Sequence, residues 1–148
     1  MSSYRQHLYH IVFRTKDSRF TINNDNSGHL YGYIGGVIRN KESHLYRING
    51  IENHIHILTD INPIIAPVDF VREIKVSSSK WIKQSGFFPS FNGWSEGYAS
   101  LTCSYRDIEN LKNYIIRQRE HHRKKTFEEE LKLLLEESGV KIDERYFP

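Results

Sequence analysis

The chain is expected to fold as an α+β domain of the ferredoxin-like, split βαβ kind. Three observations carry that expectation: short runs of alternating apolar residues, two long stretches with apolar residues at helical spacing, and one unmistakable hairpin. Read in order they give β-α-β-β-α-β, followed by two further helices. This order implies one antiparallel sheet with helices on one face and the other face left free for binding.

His7-Leu-Tyr-His-Ile-Val-Phe13 is the first strand, with Leu8, His10 and Val12 facing opposite to Tyr9, Ile11 and Phe13. A polar loop through Asn23-Asn24-Asp25-Asn26 leads to a helix over Ser27–Arg39, where Leu30, Ile34, Val37 and Ile38 share a stripe. Gly32, Gly35 and Gly36 cost that helix about 1 kcal/mol each relative to alanine, a cost that makes sense if the face packs closely against a sheet or a partner. His44–Asn49 and His54–Thr59 form the hairpin, joined by Gly50-Ile-Glu-Asn53. After Pro63 and Pro67, Val68–Gln84 is helical, with Phe70, Ile74 and Trp81 as core positions and Gly86 and Pro89 closing it. Tyr98–Cys103 is the last strand. Asp107 can cap a helix from Ile108 to Lys124, and Thr126, paired with Glu129 as a capping box, a second from Phe127 to Glu137, stopped by Gly139.

With 148 residues, 38% of them hydrophobic and 26% charged, the chain fits one globular domain spanning 1–148 and not a disordered one. No run approaches the roughly 18 apolar residues of a membrane span, and Met1-Ser-Ser-Tyr-Arg does not read as a secretory signal. Cys103 stands alone, so no internal disulfide forms and a cytoplasmic setting is expected. The net charge of +3 is too small to prove a polyanionic partner. Its distribution is more telling: Arg117, Arg119, Arg123, Lys124 and Lys125 crowd one segment and Glu128, Glu129, Glu130, Glu136 and Glu137 the next.

The chemistry is carried by His54-Ile55-His56 and by Tyr114-Ile-Ile-Arg-Gln118. Residues two apart on a strand project from one face, so His54 and His56 can both ligate a divalent metal while Ile55 and Ile57 enter the core. Residues four apart on a helix stack, so Tyr114 and Gln118 share a face that His121 and His122 extend. A free phenol, with pKa near 10, attacks phosphate poorly at neutral pH, and a cation on the phosphate would assist it. The carbonyl oxygen of Gln118 can act as third ligand. Read one by one, each of these residues has an ordinary alternative: histidines on a sheet, a packed tyrosine, a solvated amide.

Across nearly its whole length the chain resembles the single-tyrosine HUH transposases of the insertion-sequence-200-like group. The likeness rests on His10-Ile-Val-Phe-Arg-Thr-Lys16, Ile48-Asn-Gly-Ile-Glu-Asn-His-Ile-His56, Lys75-Val-Ser-Ser-Ser-Lys-Trp81 and Trp94-Ser-Glu-Gly-Tyr-Ala-Ser100, followed by Tyr114-Ile-Ile-Arg-Gln-Arg-Glu-His-His122 and Phe127-Glu-Glu-Glu130. It departs mildly at Ser95-Glu96 and Ala99-Ser100, outside the expected catalytic set. The resemblance implies a nucleophile at Tyr114 and a metal, Mg²⁺ or Mn²⁺, on His54, His56 and Gln118. It also implies cleavage and rejoining of single-stranded DNA bearing a hairpin at element ends, and a homodimer in which the tyrosine helix can act in cis or in trans. Arg72, Lys75, Lys80 and Lys83 on the second long helix, and Arg117, are expected to meet DNA phosphates. Two other readings stay open: a related HUH nuclease that does not transpose, and a noncatalytic nucleic-acid-binding module on the same sheet. The aromatic signature of an RNA-recognition sheet is missing from the sequence.

Overall fold

The computed structural model describes residues 3–145 and 147. Strands β1 (Leu8–Arg14), β2 (Leu45–Ile51), β3 (His54–Asp60) and β4 (Ala99–Cys103) form one sheet in the order β2-β3-β1-β4. Every neighbouring pair is antiparallel. Helices α1 (Ser27–Asn40) and α2 (Pro67–Ser85) complete the expected split βαβ arrangement, and α3 (Ile108–Ile116), α4 (Gln118–His121) and α5 (Phe127–Glu137) follow the last strand. No helix among the described residues is long and apolar enough to cross a membrane.

The central strands β1 and β3 are buried on both faces. On one face Ile11, Phe13, Ile55 and Ile57 meet Leu30, Ile34 and Ile38 of α1 and Phe70, Ile74 and Ile82 of α2. Each such fully buried side chain contributes about 1.5–3 kcal/mol relative to exposure. Pro67 begins α2 where a missing N–H costs nothing, and Gly86, at φ 75°, ends it in the left-handed conformation. Tyr33 of α1 stacks on Trp81 of α2 at 5.1 Å between ring centroids, so Trp81 serves the packing of the two helices.

The opposite face is not free, and here the expectation is corrected. Leu8 and Leu58 pack against Ile108 and Ile115 of α3, and Val12 packs against Phe127 and Leu131 of α5. Helices α3 and α5 each carry an apolar stripe of their own, and the second sheet face is where those stripes are buried. Two local expectations also shift. The hairpin turn is only Glu52-Asn53, because β2 continues through Gly50 and Ile51. Asp107 turns back to accept from the Ser104 N–H at 3.2 Å and the Ser104 hydroxyl at 3.0 Å, rather than capping α3.

Candidate active site

The site grows from the tight β2–β3 hairpin. Gly50 lies opposite Ile55, and a Cβ on it would come within 2.1 Å of the His54 carbonyl oxygen and 2.9 Å of the Ile55 Cα. Only glycine permits this approach, which brings β2 directly against the strand bearing the histidines. His54 and His56 then project from the same face of β3, both fully buried beneath the C-terminal helices. Each is held from behind. The second ring nitrogen of His54, Nδ1, lies 2.8 Å from Asn53 Oδ1, and that of His56 lies 2.8 Å from Nε2 of His10 on β1. Such outer partners fix ring orientation and choose which nitrogen is left for a ligand. Burial lowers the pKa of His54 to about 4 and that of His10 to about 3, so both imidazoles are neutral near pH 7.

The expected single helix from Ile108 to Lys124 is interrupted at Arg117, whose φ and ψ of −90° and 21° are not helical. The cause lies on β2. The side-chain amide of Asn49 donates to the carbonyls of Ile115 at 3.0 Å and Ile116 at 3.1 Å, acceptors that the next helical turn would have used. The chain resumes as α4, and Gln118 enters the interior with no exposed surface. Tyr114, on α3, faces the same space, its ring 5.8 Å from that of His56 and 4.7 Å from that of His121. The His121 Nε2 is buried without a hydrogen-bond partner among the described residues.

At the centre stands a residue to which no role was assigned from sequence, Glu130 of α5, 4% exposed. Its Oε1 lies 3.2 Å from His54 Nε2, 3.1 Å from His56 Nε2 and 3.0 Å from His122 Nε2. Its Oε2 accepts from the Tyr114 hydroxyl in a short hydrogen bond and from the Gln118 amide at 3.0 Å. Gln118 in turn presents Oε1 to His54 Nε2 at 3.1 Å. Burial raises the Glu130 carboxyl, but the bonds from His122, His54 and His56 outweigh it and hold the group ionised well below the usual carboxylate range. Burial, and then the charge of Glu130 beside it, push Tyr114 well above the usual phenol range. The imidazole and carboxylate donors of His54, His122 and Glu130 all lie within 4.8 Å of one another. Imidazole nitrogens and oxygen donors converging in a buried space are a donor set suited to a divalent cation, so the residues present fit such an ion. Thr126 begins α5 by accepting from the Glu129 N–H at 3.2 Å, which fixes where Glu130 enters. The sequence did carry a signal for it: Glu130 falls on the Phe127, Leu131, Leu134 face of the helix, where an unpaired carboxylate would be costly.

Tyr114, His54, His56 and Gln118 are therefore brought together within one chain, whereas the basic residues are dispersed. Arg72, Lys75, Lys80 and Lys83 lie on α2, across the sheet from the histidines. Arg72 is paired with Asp69 at 2.7 Å. Lys75 is half-buried and donates to the carbonyls of Ser95 at 3.0 Å and Gly97 at 2.5 Å, tying α2 to the loop before β4. Lys80 and Lys83 are exposed, as is Arg117 at the helix break. A cleft of about 780 Å³ opens beside His122, bordered by Phe20, Arg119, Arg123, Lys124 and Lys125.

The fold is one already seen in solved structures. A protein of Deinococcus radiodurans R1 described as a transposase aligns at a TM-score of 0.62 with 20% identity, over 80% of this chain and 98% of its own. The REP-associated tyrosine transposase, solved bound to a REP hairpin, aligns at 0.61 with 16% identity, over 82% of this chain and 74% of its own. No curated protein sequence matches the chain. Residues 3–118 match the family described as "Transposase IS200 like", a span holding the whole sheet, the two histidines, Tyr114 and Gln118. On that match the chain belongs to the IS200-like transposase family.

Proposed function

We propose that this transposase cuts and rejoins single-stranded DNA at the ends of an insertion element, using Tyr114 as the nucleophile. The observation that carries the reading is the convergence of the Tyr114 hydroxyl, the Gln118 amide and the imidazoles of His54 and His56 on one buried carboxylate. A divalent cation, Mg²⁺ or Mn²⁺, held by His54, His56 and Gln118 would neutralise charge on the scissile phosphate. The Tyr114 oxygen forms a bond to phosphorus as the bond to the 3′ oxygen breaks. The phenolic proton is directed at Glu130, and a proton from solvent converts the departing 3′ oxygen to a hydroxyl, so that one proton is released and one taken up. The 5′-phosphate stays on Tyr114. Attack by a 3′-hydroxyl from another strand then reverses the step, releasing Tyr114 and resealing the backbone without a nucleotide triphosphate.

The cleft beside His122, with its four cationic side chains, is the route by which a single strand would approach, and exposed Phe20 at its border offers a ring for base stacking. The hairpin would be held farther away, with Lys80, Lys83, Arg72 and Arg117 as phosphate contacts. Tyr114 meets its own chain's histidines, which supports catalysis in cis. The homodimer that the reading includes would then pair two complete sites.

A noncatalytic hairpin-binding module is favoured by one observation, the full burial of His54, His56 and Gln118. One experiment separates the readings. Labelled single-stranded DNA from the element ends is mixed with protein and Mn²⁺ or Mg²⁺, beside Tyr114→Phe and EDTA controls. A denaturation-resistant adduct lost in both controls is the expected result. DNA bound normally without any adduct would leave the binding module standing. An adduct that never transfers to a second strand would point to a nontransposing nuclease.

A further inference from the structure

We propose that the C-terminal segment supplies ligands to the metal centre: Glu130 of α5 through Oε1 and His122, at the end of α4, through Nε2, joining His54, while the second Glu130 oxygen positions the Tyr114 hydroxyl. The proposal deepens the transposase reading and rests on it. Both residues lie outside the segment that matches the family model, residues 3–118.

The argument begins with protons. His54 faces oxygen on every side: Asn53 Oδ1 at 2.8 Å from Nδ1, and Gln118 Oε1 at 3.1 Å and Glu130 Oε1 at 3.2 Å from Nε2. A neutral imidazole has one N–H to share among these three oxygens. The His54 Nε2 therefore faces two oxygens, Gln118 Oε1 and Glu130 Oε1, that one N–H cannot satisfy together. A cation placed among the three atoms converts this contact into coordination.

The spacing agrees. Ligands at about 2.1 Å from a common cation sit roughly 3.0–3.4 Å apart along the edges of a coordination polyhedron. The separations from Glu130 Oε1 to His54, His56 and His122 are 3.2, 3.1 and 3.0 Å. The donors of His54, His122 and Glu130 form a mutually close set, and His56 meets it through the same oxygen.

Burial adds the energetic reason. Glu130 is a carboxylate set between Phe127 and Leu131, and among the described residues its ion-pair partners are three imidazoles. A buried carboxylate among imidazoles is an anionic site whose charge a bound cation would complement directly. Because Oε2 holds both Tyr114 and Gln118, cation and nucleophile share one rigid carrier. A ligand set of imidazoles and a carboxylate also binds Mn²⁺ more tightly than Mg²⁺.

The test is direct metal binding by the full chain without DNA. Isothermal titration with Mn²⁺ alone, together with electron paramagnetic resonance of the bound ion, is compared across wild type, Glu130→Gln, His122→Ala and His54→Ala. Circular dichroism checks that each variant is folded, and if the nearly isosteric Glu130→Gln does not fold, His122→Ala carries the comparison. The expected result is that Glu130→Gln and His122→Ala both bind Mn²⁺ at least tenfold more weakly than wild type and lose its protection against thermal unfolding. Wild-type affinity in both, with binding lost only in His54→Ala, would overturn the role of Glu130 and His122 and leave the transposase reading intact. Failure of the wild-type chain to bind Mn²⁺ at all would remove the metal-assisted reading itself.

Discussion

Asn53 Oδ1 lies 2.8 Å from Nδ1 of His54, so the residue that turns the hairpin also holds the ring of the first histidine in the site. Its backbone carbonyl accepts from the Thr15 N–H at 2.9 Å, which anchors the turn to the end of β1. Asn53→Ala would leave that backbone bond in place and free the ring to rotate or change tautomer. Loss of an outer partner of this kind lowers metal affinity about 10–100-fold. Asn53→Asp, which keeps an acceptor oxygen, should retain Mn²⁺ binding. Titration of the two variants checks this, and equal affinity in both would show that His54 needs no such partner.

The interruption at Arg117 leads to a second prediction. The Asn49 amide occupies the carbonyls of Ile115 and Ile116, and thereby separates the segment bearing Tyr114 from the segment bearing Gln118. Asn49→Ala removes two hydrogen bonds, each with a net worth of about 1 kcal/mol, and allows the helix to run on through Arg117. Stability should fall by about 1–2 kcal/mol in urea unfolding. Yield of the covalent DNA adduct should fall at least tenfold, because Tyr114 and Gln118 lose their relative placement. An adduct yield equal to wild type would mean that the break has no part in the chemistry.

These two cases show what a sequence can and cannot reveal here. His54 and His56 were legible because alternation on a strand is a local rule, and Tyr114 and Gln118 because four residues make a helical turn. The split βαβ order was legible for the same reason, element by element. The helix break was not, since it depends on a side chain 66 residues away on another element. Nor was Glu130, because Glu128-Glu129-Glu130 reads as charge favouring a helix N-terminus. Only the apolar neighbours Phe127 and Leu131 marked which of the three turns inward. That α3 and α5 cover the second face of the sheet was not legible either, since an apolar stripe does not say which surface will bury it.

Gly50 and Gly36 should respond to alanine in opposite directions. At Gly50 the new Cβ would strike the backbone of His54 and Ile55, and strand pairing gives it nowhere to move. Overpacking of that kind costs about 1–3 kcal/mol, so Gly50→Ala should lower the urea midpoint and weaken Mn²⁺ binding with it. Gly36 lies within α1 with open space where a Cβ would stand. There alanine should stabilise the helix by up to about 1 kcal/mol. Equal midpoints for the two variants would contradict the tight hairpin.

Cys103 at the end of β4 is expected to be a slow thiol. Burial, and then the nearby charge of Asp107, raise its pKa to about 11 from an ordinary 9. Two pKa units leave roughly a hundredfold less thiolate at pH 8, and alkylation proceeds through the thiolate. Iodoacetamide labelling of the folded chain should be correspondingly slow, and it should accelerate on unfolding in urea. A folded-state rate like that of a free thiol would rule out this environment.

The basic face of α2 divides into a structural lysine and two free ones, and that division can be measured. Lys75 spends its ammonium on the carbonyls of Ser95 and Gly97 and sits over the rings of Phe13 and Tyr98. Lys75→Met would leave two loop carbonyls unsatisfied, costing about 1–3 kcal/mol. DNA affinity of the protein that remains folded should be nearly unchanged. Lys80 and Lys83 point to solvent with no ion-pair partner among the described residues. Each one that meets a phosphate contributes about 0.7–0.9 to the slope of log affinity against log salt. Lys80→Ala and Lys83→Ala should therefore keep wild-type stability while flattening that slope for hairpin DNA. An unchanged slope in both would take α2 out of the DNA interface and assign binding to the cleft beside His122.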